Sequence, residues 1–125
     1  MKHLIAEWIE KAEGDFDTME RESRARKKPN YDAVCFHAQQ CAEKYLKARM
    51  CDAGKRIPRT HDLPSLLDML LDVEPTWVTS RTQLVYLTQF GVQFRYPGDT
   101  ATKEHALQAR RLCRQFRKIA VKSFK

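Results

Sequence analysis

Apolar residues recur at intervals of three and four along almost the whole chain, and no segment shows the two-residue alternation of a half-buried strand. Leu4, Ile5, Trp8, Ile9, Ala12, Phe16 and Met19 define a first helix over about 3–25, which Pro29 and Asn30 bring to a turn. A second helix is predicted over 31–51. At about 100° per residue, Val34, Ala38, Cys41, Ala42, Tyr45, Leu46 and Ala48 share one broad arc. The opposite arc carries His37, Gln39, Gln40, Glu43, Lys44 and Lys47, with Phe36 among them. A solvated face is usually mostly Glu and Lys. One that mixes an aromatic ring, an imidazole, amides and paired charges suggests a surface that contacts something. Gly54 and Pro58 mark residues 52–60 as a loop. A short third helix, 62–72, turns Leu63, Leu66, Leu67 and Leu70 inward, and Pro75 interrupts the pattern. The fourth helix, 79–95, carries Leu84, Val85, Leu87, Gly91 and Phe94, and Pro97-Gly98 stops it. Asp99 or Thr100 is the expected cap of a fifth, whose apolar positions are Ala109, Leu112, Cys113, Phe116, Ile119 and Ala120.

The expected architecture is all-α: an up-down bundle of four to five antiparallel helices in one domain over residues 1–125. Gly91 weakens its helix by about 1 kcal/mol relative to Ala, and close helix packing is a sufficient reason for it. In a strictly alternating bundle, helices 2 and 4 end on the same side. That would bring Lys47, Lys55, Arg56, Arg59 and His61 towards Arg95, Tyr96 and Asp99. Cations with a histidine, an aromatic ring and one carboxylate suit a phosphate or nucleotide. The structural alternative is that Arg95 and His61 satisfy helix-end carbonyls, with His61 at an N-cap position.

A chain of 125 residues can bury a core without staples. It contains no apolar run of about 18 residues, so no membrane span is expected. Glu7 and Glu10 interrupt any leader-like stretch, and the expected compartment is the cytoplasm. Cys35, Cys41, Cys51 and Cys113 show no C-x-x-C spacing and read as reduced, buried thiols. His37 and Cys41 share a helix face, but no second pair completes a metal site, and His3, His61 and His105 are scattered. No metal and no cofactor are expected.

The net charge of +7 is unevenly spread. Acids crowd the first helix: Glu7, Glu10, Glu13, Asp15, Asp17, Glu20 and Glu22. No acid follows Glu104, whereas Arg110, Arg111, Arg114, Arg117, Lys118, Lys122 and Lys125 do. A second basic run holds Arg21, Arg24, Arg26, Lys27 and Lys28. Such blocks attract phosphate polymers; they also confer solubility and suit a helix C-terminus.

Three motifs carry a family resemblance. The spacing of Ala33, Phe36, His37, Ala38, Gln39, Gln40, Cys41, Ala42, Glu43, Lys44, Lys47 and Ala48 resembles the helix-2 signature of prokaryotic HEPN domains. His61-Asp62-Leu63 opening a leucine-rich helix and Arg95-Tyr96-Pro97 ending the next long one match the same family in order and position. The similarity runs from about Trp8 to Ile119. It implies a helical bundle that dimerises and is paired with a minimal nucleotidyltransferase, often as a toxin–antitoxin system. Tyr96, beside Arg95, would be the residue such a partner could nucleotidylate. From the residues themselves, Phe36 on a face otherwise occupied by His37, Gln40 and Lys44 points to a dimer interface there, with burial of Phe36 against a neighbouring helix as the alternative.

Many HEPN toxins are metal-independent RNases with an Arg followed four to six residues later by His. After Arg95 the chain reads Tyr96, Pro97, Gly98, Asp99, Thr100 and Ala101, and the next histidine is His105. Arg56 and His61 have the right separation but lie before the third helix. In a chain this basic, such a spacing arises readily by chance. The primary expectation is therefore a homodimeric nucleotide- or RNA-binding module, with Arg95, Tyr96, Asp99, His61, Lys47 and Arg59 as ligand contacts. The alternative is an endoribonuclease using His61 or His105 with Arg95 or Arg56. A purely structural interaction protein is a third reading.

Overall fold

In the computed structural model, residues 2–92 and 97–124 are described, and they form five α-helices with no strand among them. The helices are α1 (Lys2–Ser23), α2 (Tyr31–Asp52), α3 (Leu63–Asp68), α4 (Arg81–Thr88) and α5 (Lys103–Val121). Tight 3₁₀ turns at Pro75–Ser80 and Gln89–Gly91 flank α4. Arg95 and Tyr96 lie outside the described residues.

α1 and α2 form an antiparallel hairpin, and α5 runs along both. The direction of α5 follows from its partners. The Ala101 amide donates to Asp32 at the start of α2 (2.6 Å), and the rings of Phe124 and Tyr45 meet towards the other end (6.3 Å between centroids). α5 is therefore parallel to α2. α4 is antiparallel to α5, with Trp77 on Phe116 and Phe90 on His105.

The connection over residues 53–62 corrects one expectation. It does not simply turn the chain into an ascending helix. It runs back along α2, so that His61 reaches Glu43, and α3 then descends again. Gly54 starts this return with φ +71°, a left-handed conformation that suits glycine. Lys55 pairs with Asp72 and Arg49 with Glu74 at the far end. The ends of α2 and α4 consequently lie at opposite ends of the bundle. Gly91, at the end of α4, packs beside Gln39, where an added Cβ would stand 3.4 Å from the amide carbon. That is ordinary van der Waals contact with the end of a side chain, so close packing does not by itself require glycine there.

α2 is the central element, and its burial exceeds what its sequence suggests. Val34, Ala38, Cys41, Ala42, Tyr45, Leu46 and Ala48 are buried as the periodicity requires. Gln39, Glu43 and Lys47, on the arc that reads as a contact surface, are buried too. All four cysteines are free and buried. The hydrogen bond with Cys113 and burial push the Cys41 thiol well above its ordinary range, and burial lifts Cys35 to about 12. Both are therefore protonated and unreactive at neutral pH.

Three helix starts have side-chain caps. Asn30 accepts from the Ala33 amide, and Asp62 accepts from Ser65, so Asp62 and not His61 holds the cap position of α3. α5 begins later than expected, because Thr102 and not Asp99 or Thr100 caps it. Thr102 accepts from the His105 amide (3.1 Å), while His105 Nδ1 accepts from the Thr102 amide (3.0 Å). The Asp32–Ala101 bond fixes where the chain can turn into the helix. Thr102→Ala is expected to cost about 1 kcal/mol of stability, read as a lower urea midpoint with an unchanged slope. No helix of the described residues is long and apolar enough to cross a membrane.

Candidate functional site

The polar row of α2 builds a compact network on the side facing α3 and α4. Gln39, Glu43 and Lys47 are spaced four apart, so one helix face presents all three. They are 0%, 5% and 6% exposed. The Glu43 carboxylate is the hub. One oxygen accepts from the Gln39 amide (3.0 Å), and the other accepts from Lys47 Nζ (3.0 Å) and from His61 Nδ1 (2.9 Å). Gln39 also donates to the His61 carbonyl (3.4 Å) and accepts from Gln40 (2.7 Å). Thr88 of α4 holds the same loop through the Leu63 amide (3.0 Å).

Burial opposes the charge on Glu43, but hydrogen bonds from Gln39, His61 and Lys47 together outweigh it and hold the carboxyl below its ordinary value. The group is thus a carboxylate at neutral pH, and the buried Lys47 ammonium compensates it. His61 differs from its partners, for its side chain is 68% exposed. With Nδ1 engaged by a carboxylate, the ring is oriented and its other nitrogen is left as the acceptor of the neutral form. An exposed imidazole held in one tautomer by a buried carboxylate is equipped to exchange a proton with a ligand or to hydrogen-bond one.

The other sequence candidates are distributed as follows. Lys47 and His61 meet through Glu43. Arg56 and Arg59 are exposed on the return connection, and neither makes an ion pair among the described residues. Asp99 is exposed on the segment before α5. Lys55 is drawn away to Asp72. His105 belongs to the cap of α5, and its Nδ1 already accepts from the Thr102 amide. Of the residues expected at an interface, His37 and Lys44 bind Asp15 of α1 at 2.7 and 2.5 Å. Gln40 bonds Gln39, and the Phe36 ring stands edge-on to His37.

In the sequence Gln39 and Glu43 appear as members of a polar arc and of the helix-2 signature, not as site residues. Their spacing from Lys47 was the available signal. Sequence reasoning also overlooked Asp15 as the anchor of His37 and Lys44. Burial disfavours the Asp15 charge, yet hydrogen bonds from His37 and Lys44 more than offset it and lower its pKa. Glu13 receives Arg117 through two bonds (2.8 and 2.6 Å) and the Tyr45 hydroxyl. Among the described residues no group of three or more His, Cys, Asp and Glu side chains is placed to hold a metal ion.

Comparison with known proteins bears on the whole chain. A family model described as HEPN domain matches residues 5–124. Among solved structures, the crystal structure of TT1696 from Thermus thermophilus superposes with a TM-score of 0.82. It is 19% identical, and the match covers 96% of this chain and 98% of that one, so the likeness concerns the fold. None of the curated proteins searched matches the sequence.

Proposed function

The chain belongs to the HEPN family, and from that premise we propose that it is a homodimeric module that binds a nucleotide or RNA at the His61–Glu43–Lys47 cluster. The observation that carries this reading is the exposed His61 ring on a buried carboxylate. Arg59 lies two residues before it in sequence, and a guanidinium and an imidazole suit a phosphate group. Arg95 and Tyr96 complete the proposed contact set on grounds of sequence. The proposed setting is a cytoplasmic pair with a minimal nucleotidyltransferase, of the toxin–antitoxin kind. Phe36, His37, Gln40 and Lys44 remain the proposed interface, and Tyr96 the residue the partner would modify.

The second reading is a metal-independent endoribonuclease. What favours it is the same oriented imidazole, with Arg56 five positions before it. His61 would accept the proton of a ribose 2′-hydroxyl as that oxygen attacks the adjacent phosphorus and the P–O5′ bond breaks, leaving a 2′,3′-cyclic phosphate and a 5′-oxygen that takes a proton from water; an Arg would stabilise the charge on the phosphate. Binding is preferred because no histidine follows Arg95 within four to six residues, and because His105 serves the α5 cap.

His61→Ala separates these readings. A hydrogen bond to a charged group contributes about 1.5–3 kcal/mol, so nucleotide or RNA affinity per folded molecule should fall ten- to a hundredfold; the melting temperature should also drop, because Glu43 loses one of its three partners. An unaltered affinity would overturn the assignment of the site. RNA cleavage by the wild type in the presence of EDTA, abolished in His61→Ala, would establish the nuclease instead.

A further inference from the structure

Away from the His61 cluster, on the seam between α1 and α5, two basic runs far apart in sequence come together. We infer that this seam is a second, sequence-independent surface for the phosphate backbone of a nucleic acid strand. The inference does not rest on the His61 reading.

The surface is an open groove of 1010 Å³ lined by Arg110, Arg111, Arg114, Arg117, Lys118 and Lys122. Arg110, Arg114, Lys118 and Lys122 follow one another at steps of four along α5. Each step rises about 6 Å along the helix axis, so the groove presents a row of cations and not a single focus. A row of this kind complements a polymer with regularly repeated negative charge better than an isolated anion. At its upper end lies a smaller hollow of 320 Å³, lined by Arg26, Lys103 and Arg110. Through it the run after α1 extends the row on α5.

Two carboxylates of α1 reduce this charge without cancelling it. Glu20 binds Arg110 at 3.0 Å and approaches Arg114 at 3.6 Å, while Glu13 takes Arg117. Arg111, Lys118 and Lys122 make no ion pair among the described residues. The acids also do something useful for binding. They fix the Arg110 and Arg117 guanidinium groups, and Arg117 lies 4.1 Å from the centre of the Phe16 ring. Groups already ordered lose less freedom when a ligand arrives. Since Glu13 and Glu20 already hold Arg110, Arg114 and Arg117, the free contribution comes mainly from Arg111, Lys118 and Lys122.

The probe is a short oligouridylate, titrated against the full chain at several salt concentrations. Each phosphate neutralised on a single strand adds about 0.7 to the log–log salt slope. The variant Arg111→Glu, Lys118→Glu, Lys122→Glu removes three exposed cations that make no ion pair among the described residues and leaves the Arg110, Arg114 and Arg117 pairs intact. Its affinity at low salt should drop at least about a hundredfold, and its slope should shrink by about two units. Circular dichroism and melting check that it is folded; should it fail to fold, the corresponding glutamine variant replaces it, with the same direction of change. An unchanged affinity and slope in a folded variant would overturn the inference. So would binding lost in His61→Ala but retained in the stripe variant, which places the strand at the other site. Retention of anionic vesicles or of polyglutamate with no oligonucleotide binding would likewise overturn it, assigning the surface to another polyanion.

Discussion

Glu43→Ala is expected to destabilise the protein by about 3–5 kcal/mol, the usual consequence of removing one partner from a buried ion pair. The loss comes less from the missing contacts than from what remains. Lys47 is 6% exposed and would lose the carboxylate that pairs with it inside the fold, while Gln39 and His61 would lose their shared acceptor. Glu43→Ala with Lys47→Leu should recover most of that loss, because no uncompensated charge is then left inside. Urea unfolding of the three proteins decides the point. A loss below about 1 kcal/mol in the single variant would show that the Lys47 ammonium reaches water by extending its stem, and that the network contributes little to the fold.

This network also shows where the sequence is legible and where it stops. Helical periodicity reports which residues share a face, and every apolar position read into α2 is buried. It does not report what covers the opposite face. The mixed arc of Gln39, Glu43 and Lys47 signals a contact, but not that residues 53–62 run back over it, and loop composition alone does not reveal that return. The same limit governs the cap of α5. Asp99, Thr100 and Thr102 are all competent capping residues, and the choice is made by a bond from Ala101 to Asp32, 69 positions earlier. Gly91 shows the same limit: the pattern suggests a close neighbour, and Gln39 does pack beside it, but at a distance that a Cβ would tolerate.

Charge was readable as amount but not as arrangement. The acidic first helix and the basic last one are plain in the sequence, yet they read as separate features. In the fold they are partners: Glu13 with Arg117, 104 positions apart, and Glu20 with Arg110, 90 apart. Part of the apparent basic tail is thereby consumed in holding α1 to α5. What remains for a ligand is the outer row, which is why the stripe variant spares Arg110 and Arg117. The family signature was legible because each of its motifs has local spacing, the helix-2 stretch from Ala33 to Ala48 and His61-Asp62-Leu63 among them. The role of His61 was not, since its carboxylate sits 18 positions away on another element.

Acid should unfold this protein through the same carboxylates. Glu13, Asp15, Glu20 and Glu43 all have pKa values below their ordinary ones. For Glu13 the hydrogen bond from Arg117 is the largest cause; for the other three, burial works against the charge and the cationic and hydrogen-bonding partners prevail. The sign follows from linkage. A carboxyl whose folded value is depressed binds its proton more readily when unfolded, so its contribution is fully present above the unfolded value and is lost as pH falls through the folded one. The ordinary values are 4.5 for Glu and 3.8 for Asp. Melting temperature should therefore be nearly level from neutral pH down to about 5 and then fall steeply. Four groups acting together on three seams make this the broadest stability effect expected of the molecule. Glu20→Gln tests the cause. It should lower stability at neutral pH and flatten the acid limb, because one of the four protonations no longer matters. A melting temperature constant down to pH about 3, or a decline centred in the range where histidine titrates, would show that these ion pairs do not govern the fold.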